Sequence, residues 1–146
     1  IQLIVRGICC LKVGIEGVSE NIEVRSIVGN FLEHSRIFWF ENNGADEVYM
    51  GSADWMPRNL DRRVEILFPV LDDDAKESAK HILEVELSDN TKAHILKSDG
   101  NYEKIDKRGK VLVNSQMQFC EEAVAAVPKQ DHVYRERVFV PAEPAE

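Results

Sequence analysis

The sequence predicts one α/β domain in which strands and helices alternate irregularly along the chain. Residues 2–11 form a nearly continuous apolar run, typical of a strand covered on both faces. Asn43-Gly44 separates two segments rich in aromatic and β-branched residues, which predicts a β-hairpin because both residues tolerate positive φ. Residues 71–87 space their apolar side chains as a helix does, behind a run of aspartates. At 146 residues, the chain suits one domain with its own core.

The same patterns predict the other elements of the first half. Residues 12–21 carry two glycines and a Ser-Glu-Asn cluster, which predict a loop. Residues 22–31 favour a second strand, with a helical stretch over part of them as the alternative. Residues 34–40 predict the first hairpin strand, rich in aromatics and isoleucine, and residues 47–53 predict its partner.

In the second half, residues 62–70 alternate apolar and polar side chains and predict another strand. The aspartates that open the helix at 71–87 lie where they cap it and match its dipole. Residues 92–113 predict short strands or loops around two turns that contain glycine. A final helix is expected at 114–126, with Asn114 as its cap, and the proline- and alanine-rich residues 128–146 predict a flexible tail.

The net charge of −8 argues against a general nucleic-acid binder, because such proteins need a broad basic footprint. We therefore expect no nucleic-acid partner. Acids concentrate at residues 72–74, at Glu84 and Glu86, and in the tail, whereas several arginines lie within apolar segments. This distribution indicates a local anion site rather than a basic surface.

The three cysteines are odd in number and show no CxxC or Cys/His spacing. Neither a disulfide framework nor a zinc site is expected, and the thiols are interpreted as buried groups in a reducing cytosol. No apolar run approaches the roughly 20 residues that cross a bilayer. Because the chain opens at Ile1 with strand-like residues, we expect a domain truncated at its N-terminus and cut from a longer protein.

His34 is the strongest candidate functional residue, because it lies among charged neighbours rather than on an apolar face. An imidazole can act as a nucleophile, an acid–base group or a phosphate ligand. In a strand, Arg36 would share a face with it and could grip a phosphate bidentately. An ion pair of Arg36 with Glu33 or Glu41 is the structural alternative. The other histidines are expected to be structural or exposed.

The GSAD segment places Ser52 and Asp54 at the end of the returning hairpin strand. The hairpin should carry both residues back towards His34. Cations follow as the next predicted strand begins, and a solvated charged face is the alternative interpretation of this cluster of Arg58, Arg62 and Arg63.

Arg6 lies inside the opening strand, where a buried lone charge needs a partner. It should pair with an acid of the fold or bind an anionic ligand. Gly7 follows at once and would let a ligand or backbone approach closely.

The spacing His-x-Arg-x4-Glu followed by Gly-Ser-x-Asp resembles the phospholipase D superfamily signature His-x-Lys-x4-Asp followed by Gly-Ser-x-Asn. Arg36, Glu41 and Asp54 stand at the three positions that differ. The longer strings LIVRGICCL, SENIEVRSIVGNFLEHSRIFWFEN and VYMGSADWMPRNLDRRVE are similar to the C-terminal domain of long-type bacterial polyphosphate kinases. The resemblance is close over residues 1–70 and weaker to about residue 125.

This resemblance implies a phospholipase D-like mixed sheet flanked by helices over residues 1–127. It also implies reversible transfer of the terminal phosphate of ATP to inorganic polyphosphate, with Mg²⁺, through a phosphohistidine in an upstream domain. Arg6 and His34 match the arginine and histidine that contact the nucleotide in the family. A polyphosphate path is expected along Arg36, Ser52, Asp54, Arg58, Arg62 and Arg63.

The implied partners are ATP or ADP, polyphosphate, the upstream domains of the same enzyme and further copies in a homo-oligomer. The Mg²⁺ site is expected mostly outside this segment, and the chain alone should be inactive. The implied location is the cytoplasm, with peripheral association with the inner membrane face as an alternative. Two other hypotheses are a phospholipase D-like phosphodiesterase half-site with His34 as nucleophile, and a non-catalytic module that binds polyanions. The net charge counts against the last.

Overall fold

The computed structural model describes residues 1–7 and 9–127, and it confirms the predicted α/β class in that part of the chain. The predicted tail at 128–146 lies outside the described residues. The strands are β1 (Gln2–Ile4), β2 (Glu23–Ile27), β3 (Ile37–Phe40), β4 (Glu47–Gly51), β5 (Leu67–Pro69), β6 (Ala93–Leu96) and β7 (Tyr102–Lys104). The helices are α1 (Pro57–Arg62), α2 (Asp73–Ser88) and α3 (Ser115–Ala126).

The first of two sheets, sheet A, has the strand order β1-β2-β6-β7. Strand β1 runs parallel to β2, and the other neighbours are antiparallel. Val24 of β2 is fully buried and packs with Val13 and Leu96 in the core of this sheet. Because β1 and β2 are parallel, the chain leaves both strands at the same edge of sheet A.

The opening strand is much shorter than the predicted residues 2–11. Beyond the three residues of β1, Val5 N–H still donates to Arg25 O at 2.8 Å, but Gly7 has φ +86° and turns the chain away. In the described part of the chain, strand β1 pairs only with β2 and so lies at the edge of sheet A. Arg6 lies beyond the end of β1 and is exposed, and the expectation that it is buried was wrong.

The second sheet, sheet B, has the order β3-β4-β5 and contains the predicted hairpin. Asn43 and Gly44 have φ of 54° and 88°, so the turn uses the positive φ that the Asn-Gly pair tolerates. The register pairs Ile37 with Met50 and sets the two ends of the hairpin side by side.

Helix α2 covers one face of sheet B. Val48 and Val70 are buried against Ala79 of the helix, with Ile37 and Met50 packed around them. The opposite face carries aromatic side chains and is open. This second core shares no residue with that of sheet A.

The predicted strand at 62–70 is confirmed only over β5, because residue 62 ends helix α1 and residues 63–66 belong to no strand. Pro57 occupies the first turn of α1, where its fixed φ suits a helix and its missing N–H costs nothing. The strand alternative is confirmed for residues 22–31 as β2, and residues 92–113 contain β6 and β7 as expected.

Helices α2 and α3 begin at the predicted caps. Asp72 Oδ1 accepts from Ala75 N–H at 2.9 Å, and Asn114 Oδ1 accepts from Met117 N–H at 3.3 Å. In the described part of the chain, no helix is both long enough and apolar enough to cross a membrane.

A buried carboxylate joins the end of α2 to the start of α3. Asp89 Oδ1 accepts from the N–H groups of Thr91, Lys92 and Ala93 at 2.9, 2.8 and 3.2 Å. Its Oδ2 accepts from the N–H and hydroxyl of Ser115 at 2.8 and 3.0 Å. Asp89 is fully buried, so this one side chain satisfies most of the polar groups at the junction.

The three cysteines are free thiols. Cys9 and Cys120 are half-buried, but Cys10 is exposed, so the expectation of three buried thiols was wrong for that residue. Cys10 lies beyond the short β1, where the chain has already left the sheet.

Candidate functional site

Arg36 is the centre of a polar cluster between β2 and β3. Its Nε and Nη2 donate to Asp54 Oδ1 at 3.0 and 2.8 Å. Asp54, and neither Glu33 nor Glu41, is therefore the partner of this guanidinium in the described residues. The Arg36 side chain is 22% exposed, so the pair is partly shielded from water and screened less than a surface pair.

The same guanidinium holds His34. Arg36 Nη1 donates to His34 O at 2.8 Å, and Nη2 lies 3.4 Å from His34 Nδ1. Residues 34–36 lie outside β3, yet the two side chains share a side as predicted. Because a guanidinium only donates, Nδ1 is the acceptor and the imidazole proton lies on Nε2. His34 is exposed and presents that N–H to solvent.

The hairpin carries the GSAD segment back to this cluster, as predicted. Gly51 N–H donates to Arg36 O at 3.1 Å, and Asp54 follows within the same turn. Ser52 faces a different partner: its hydroxyl donates to Glu65 Oε2 and accepts from Ile66 N–H. Ser52 therefore fixes the edge of sheet B and does not contact His34.

Glu65 and Asn59 complete this corner of the cluster, and the sequence analysis missed both. Asn59, only 2% exposed, donates to Glu65 Oε1 at 3.1 Å. The Ser52 hydrogen bond is the main cause that lowers the pKa of Glu65, with smaller contributions from Asn59, Arg63 and Arg36 against the effect of burial. No spacing in the sequence predicts that these residues belong to the site, since Asn59 is buried only because helix α1 forms.

The three downstream arginines lie on or just after α1 and are exposed. Arg58 Nε lies 3.3 Å from Asn59 Oδ1, and Arg63 Nη1 lies 4.0 Å from Glu65 Oε1. Arg62 is in the last turn of α1. They form an exposed basic edge beside the cluster, and within the described residues most of their N–H groups have no hydrogen-bond partner.

Arg6 lies at the edge of sheet A from which the chain also leaves β2 on its way to His34. Gly7 N–H donates to Ser26 Oγ at 3.3 Å, which ties the start of one segment to the end of the other. Over residues 1–7 and 9–127, Arg6 has no acidic partner within 4.0 Å. Its guanidinium is therefore available to an anion.

The described residues do not provide a metal site of their own. Among them, no group of three or more His, Cys, Asp or Glu side chains could hold a metal ion. Asp54 is engaged by Arg36, and Glu65 by Ser52 and Asn59. Because Mg²⁺ is usually bound through one or two carboxylates together with substrate phosphates, these engaged side chains do not by themselves form such a site.

The sequence family described as polyphosphate kinase C-terminal domain 2 matches residues 1–116. The chain belongs to this family. The polyphosphate kinase of Lactiplantibacillus plantarum is 52% identical over 132 residues, and that of Prosthecochloris aestuarii is 57% identical over 124 residues. These alignments cover 90% and 84% of this chain but only 18% and 17% of the relatives.

A crystal structure of polyphosphate kinase from Porphyromonas gingivalis has the same fold, with a TM-score of 0.78 and 42% identity. It aligns with 85% of this chain, which spans 19% of that structure. The predicted family is thereby confirmed, and the chain corresponds to about a fifth of the length of such enzymes.

Proposed function

We propose that this domain supplies one half of the active site of a polyphosphate kinase, which reversibly transfers the terminal phosphate of ATP to inorganic polyphosphate. The observation that carries the proposal is the cluster in which Arg36 and Asp54 hold His34 with its Nε2–H towards solvent. Arg6 supports the proposal because it lies beside the exit of β2 and has no acidic partner among residues 1–7 and 9–127.

Phosphoryl transfer needs alignment of the reactants and neutralisation of spread-out negative charge. In the proposed reaction, the bond from the γ-phosphorus to its bridging oxygen breaks, leaving ADP, and a bond forms to a histidine nitrogen of the upstream domain. The phosphoryl group then passes to the terminal oxygen of polyphosphate. Arg6 binds phosphate oxygens, and His34 Nε2–H donates to the leaving oxygen or to a phosphate oxygen.

For Arg36 we propose a role in addition to the phosphate contact expected for it, and a polyphosphate path along Arg36, Ser52 and Asp54 stays a prediction. Its Nε, Nη1 and Nη2 already donate to Asp54 and to His34 O. We assign to it the orientation of His34. The polyphosphate chain is proposed to follow the exposed basic edge formed by Arg58, Arg62 and Arg63. Mg²⁺, for which the described residues offer no ligand set, is proposed to bind with the nucleotide and the upstream domains.

Replacing Arg6 with alanine in the full-length enzyme should lower kcat/KM for ATP by about tenfold to a hundredfold, since a charged hydrogen bond is lost. Transfer of labelled γ-phosphate into polyphosphate measures this. Arg108→Ala is the matched control, because Arg108 pairs only with Asp106 on the surface. A normal rate in Arg6→Ala would remove Arg6 from the site.

Turnover by the 146-residue chain alone would contradict the half-site proposal. Hydrolysis of a phosphodiester by a dimer of this chain would favour the alternative, a phospholipase D-like phosphodiesterase.

The open face of sheet B is proposed to pack against the upstream part of the same polypeptide. It forms an apolar groove of about 760 Å³. Trp55, 76% exposed, stacks on Phe38 with ring centroids 5.3 Å apart. Exposed apolar surfaces of this kind mark interaction sites. The relatives are about five times as long as this chain, and we propose that their additional residues include the segment that fills the groove. The homo-oligomeric state and the cytoplasmic location stay predictions.

Leu67→Glu tests this packing, because Leu67 lines the groove and is 64% exposed in the domain described here. In the full-length enzyme, the substitution should lower the midpoint of thermal unfolding by several degrees, since it buries an unpaired charge. Val111→Glu is the control, because Val111 is 84% exposed and lies outside the groove. Equal midpoints for both variants would show that the groove stays open to water.

A further inference from the structure

The segment that leads to His34 is held by one side chain of α3. Gln116 Oε1 accepts from Phe31 N–H at 3.0 Å, and Gln116 Nε2 donates to Phe31 O at 2.9 Å. The same Nε2 also donates to Glu33 Oε1, directly before His34. Gln116 is only 5% exposed. Both ends of its amide are therefore engaged by a segment 85 residues away in sequence.

Gln116 comes from a rigid part of the domain. It lies in the first turn of α3, after the cap formed by Asn114. Its neighbour Ser115 is fully buried and donates twice to Asp89. A side chain anchored in this way can fix the position of a loop rather than follow it.

Gly29 gives the amide its space. A Cβ built on Gly29 would overlap Gln116 Oε1 and lie 2.7 Å from Gln116 Cδ. Gly29 does not have a positive φ, so its backbone would accept alanine without strain. The glycine is therefore required by the close approach of Gln116 rather than by its backbone conformation.

Glu33 has a second anchor on α2. Glu86, only 6% exposed, lines the same pocket as Glu33 and Gln116. Burial, and next the proximity of Glu33, raise the pKa of Glu86 to about 8, which favours a shared proton between the two carboxyl groups. Between them, Glu86 and Gln116 tether the residue that precedes His34 to two helices.

We propose that Gln116 is a positioning residue for His34: it fixes residues 29–33 so that the imidazole stays beside Arg36. This inference rests on the proposed function of His34. A glutamine with a purely structural role would affect the stability of the domain but not the turnover of the folded enzyme.

The test uses the full-length enzyme with Gln116→Met, which keeps the size of the side chain and removes all three hydrogen bonds. We expect kcat to fall by about tenfold to a hundredfold, because small misplacements of a catalytic group cost that much. KM for ATP should stay within about twofold, since the binding groups remain. The matched control is Gln118→Met, two residues along α3, which loses only its bond to Glu122 and should behave as wild type.

Gly29→Ala is the second variant, because its methyl group would displace the Gln116 amide although the substitution removes no polar group. Its kcat should fall as that of Gln116→Met does. When Gly29→Ala is combined with Gln116→Ala, the three atoms nearest to the new methyl group, all from the Gln116 amide, are removed. The double variant should therefore be no slower than Gln116→Ala alone.

Amide hydrogen exchange supplies a readout that is independent of turnover. Residues 30–36 should exchange faster in Gln116→Met and Gly29→Ala, while the rest of the domain stays unchanged. Faster exchange throughout the domain would indicate a folding defect and overturn the inference. So would wild-type kcat in both variants when His34→Ala is inactive. If His34→Ala itself is as active as wild type, the proposed function fails.

Discussion

Replacing His34 with alanine in the full-length enzyme is expected to slow polyphosphate synthesis by about a hundredfold to ten-thousandfold, the usual contribution of a positioned proton donor. The substitution removes the exposed Nε2–H but leaves its surroundings intact. Arg36 stays in place because Asp54 holds it, and its bond to the backbone O of residue 34 does not need the imidazole. The loss should therefore appear in the rate and not in the stability of the enzyme.

His81→Ala is the control for this experiment. His81 is an exposed histidine on α2 that contacts Glu122 at 3.0 Å, away from the cluster around Arg36. It should keep the wild-type rate. His34→Gln separates the two roles left open for the imidazole: an amide N–H can bond a phosphate but cannot give up a proton. Substantial activity in His34→Gln favours phosphate binding, and a wild-type rate in His34→Ala would remove His34 from the reaction.

Asp89→Ala should destabilise the domain by about 4 kcal/mol or more, because the buried N–H groups around Asp89 lose their acceptor. Burial alone would raise the pKa of Asp89, but hydrogen bonds from Lys92, Ser115 and Thr91 bring it below its ordinary value. A group with a lowered pKa in the folded state stabilises above its unfolded pKa, and the contribution is lost as the pH falls through its folded pKa.

Denaturant unfolding of the full-length enzyme, followed by a probe in this domain, measures the effect. Asp89→Asn keeps the shape of the side chain, so its cost relative to wild type should be largest at neutral pH and shrink below about pH 4. Asp106→Ala is the control, because Asp106 is exposed and bonds only to Arg108 and its backbone. A pH-independent cost for Asp89→Asn would contradict the role of its charge.

The parts of the fold that depend on residues adjacent in the sequence could be predicted from it. The Asn43-Gly44 turn and the caps at Asp72 and Asn114 are local signals, and each formed where predicted. The length of the opening strand was not predictable, because it depends on how many partners β1 finds in the sheet. Helix α1 was missed since its six residues include one apolar side chain besides proline and therefore show no periodicity.

The candidate site divides in the same way. The return of Asp54 follows from the hairpin, whereas His34 and Arg36 lie before β3 and are brought together by contacts of the Arg36 guanidinium with His34 rather than by strand alternation. The anchors of this cluster do not follow from any spacing. Gln116 reaches the His34 segment from the far end of the chain, and Asn59 is buried only because α1 forms. Tertiary contacts of this kind leave no periodic trace in a single sequence.

The domain has two apolar cores that share no residue, one around Val24 and one around Val48. The segment bearing His34 connects sheet A to sheet B, whereas Arg6 is exposed just beyond β1 of sheet A. In the proposed site, a phosphate chain bound by both residues would link the two sheets. Ligand binding and the relative order of the two sheets would then be linked. Binding would make their junction more rigid, and a substitution that loosens the junction would weaken binding by the same free energy.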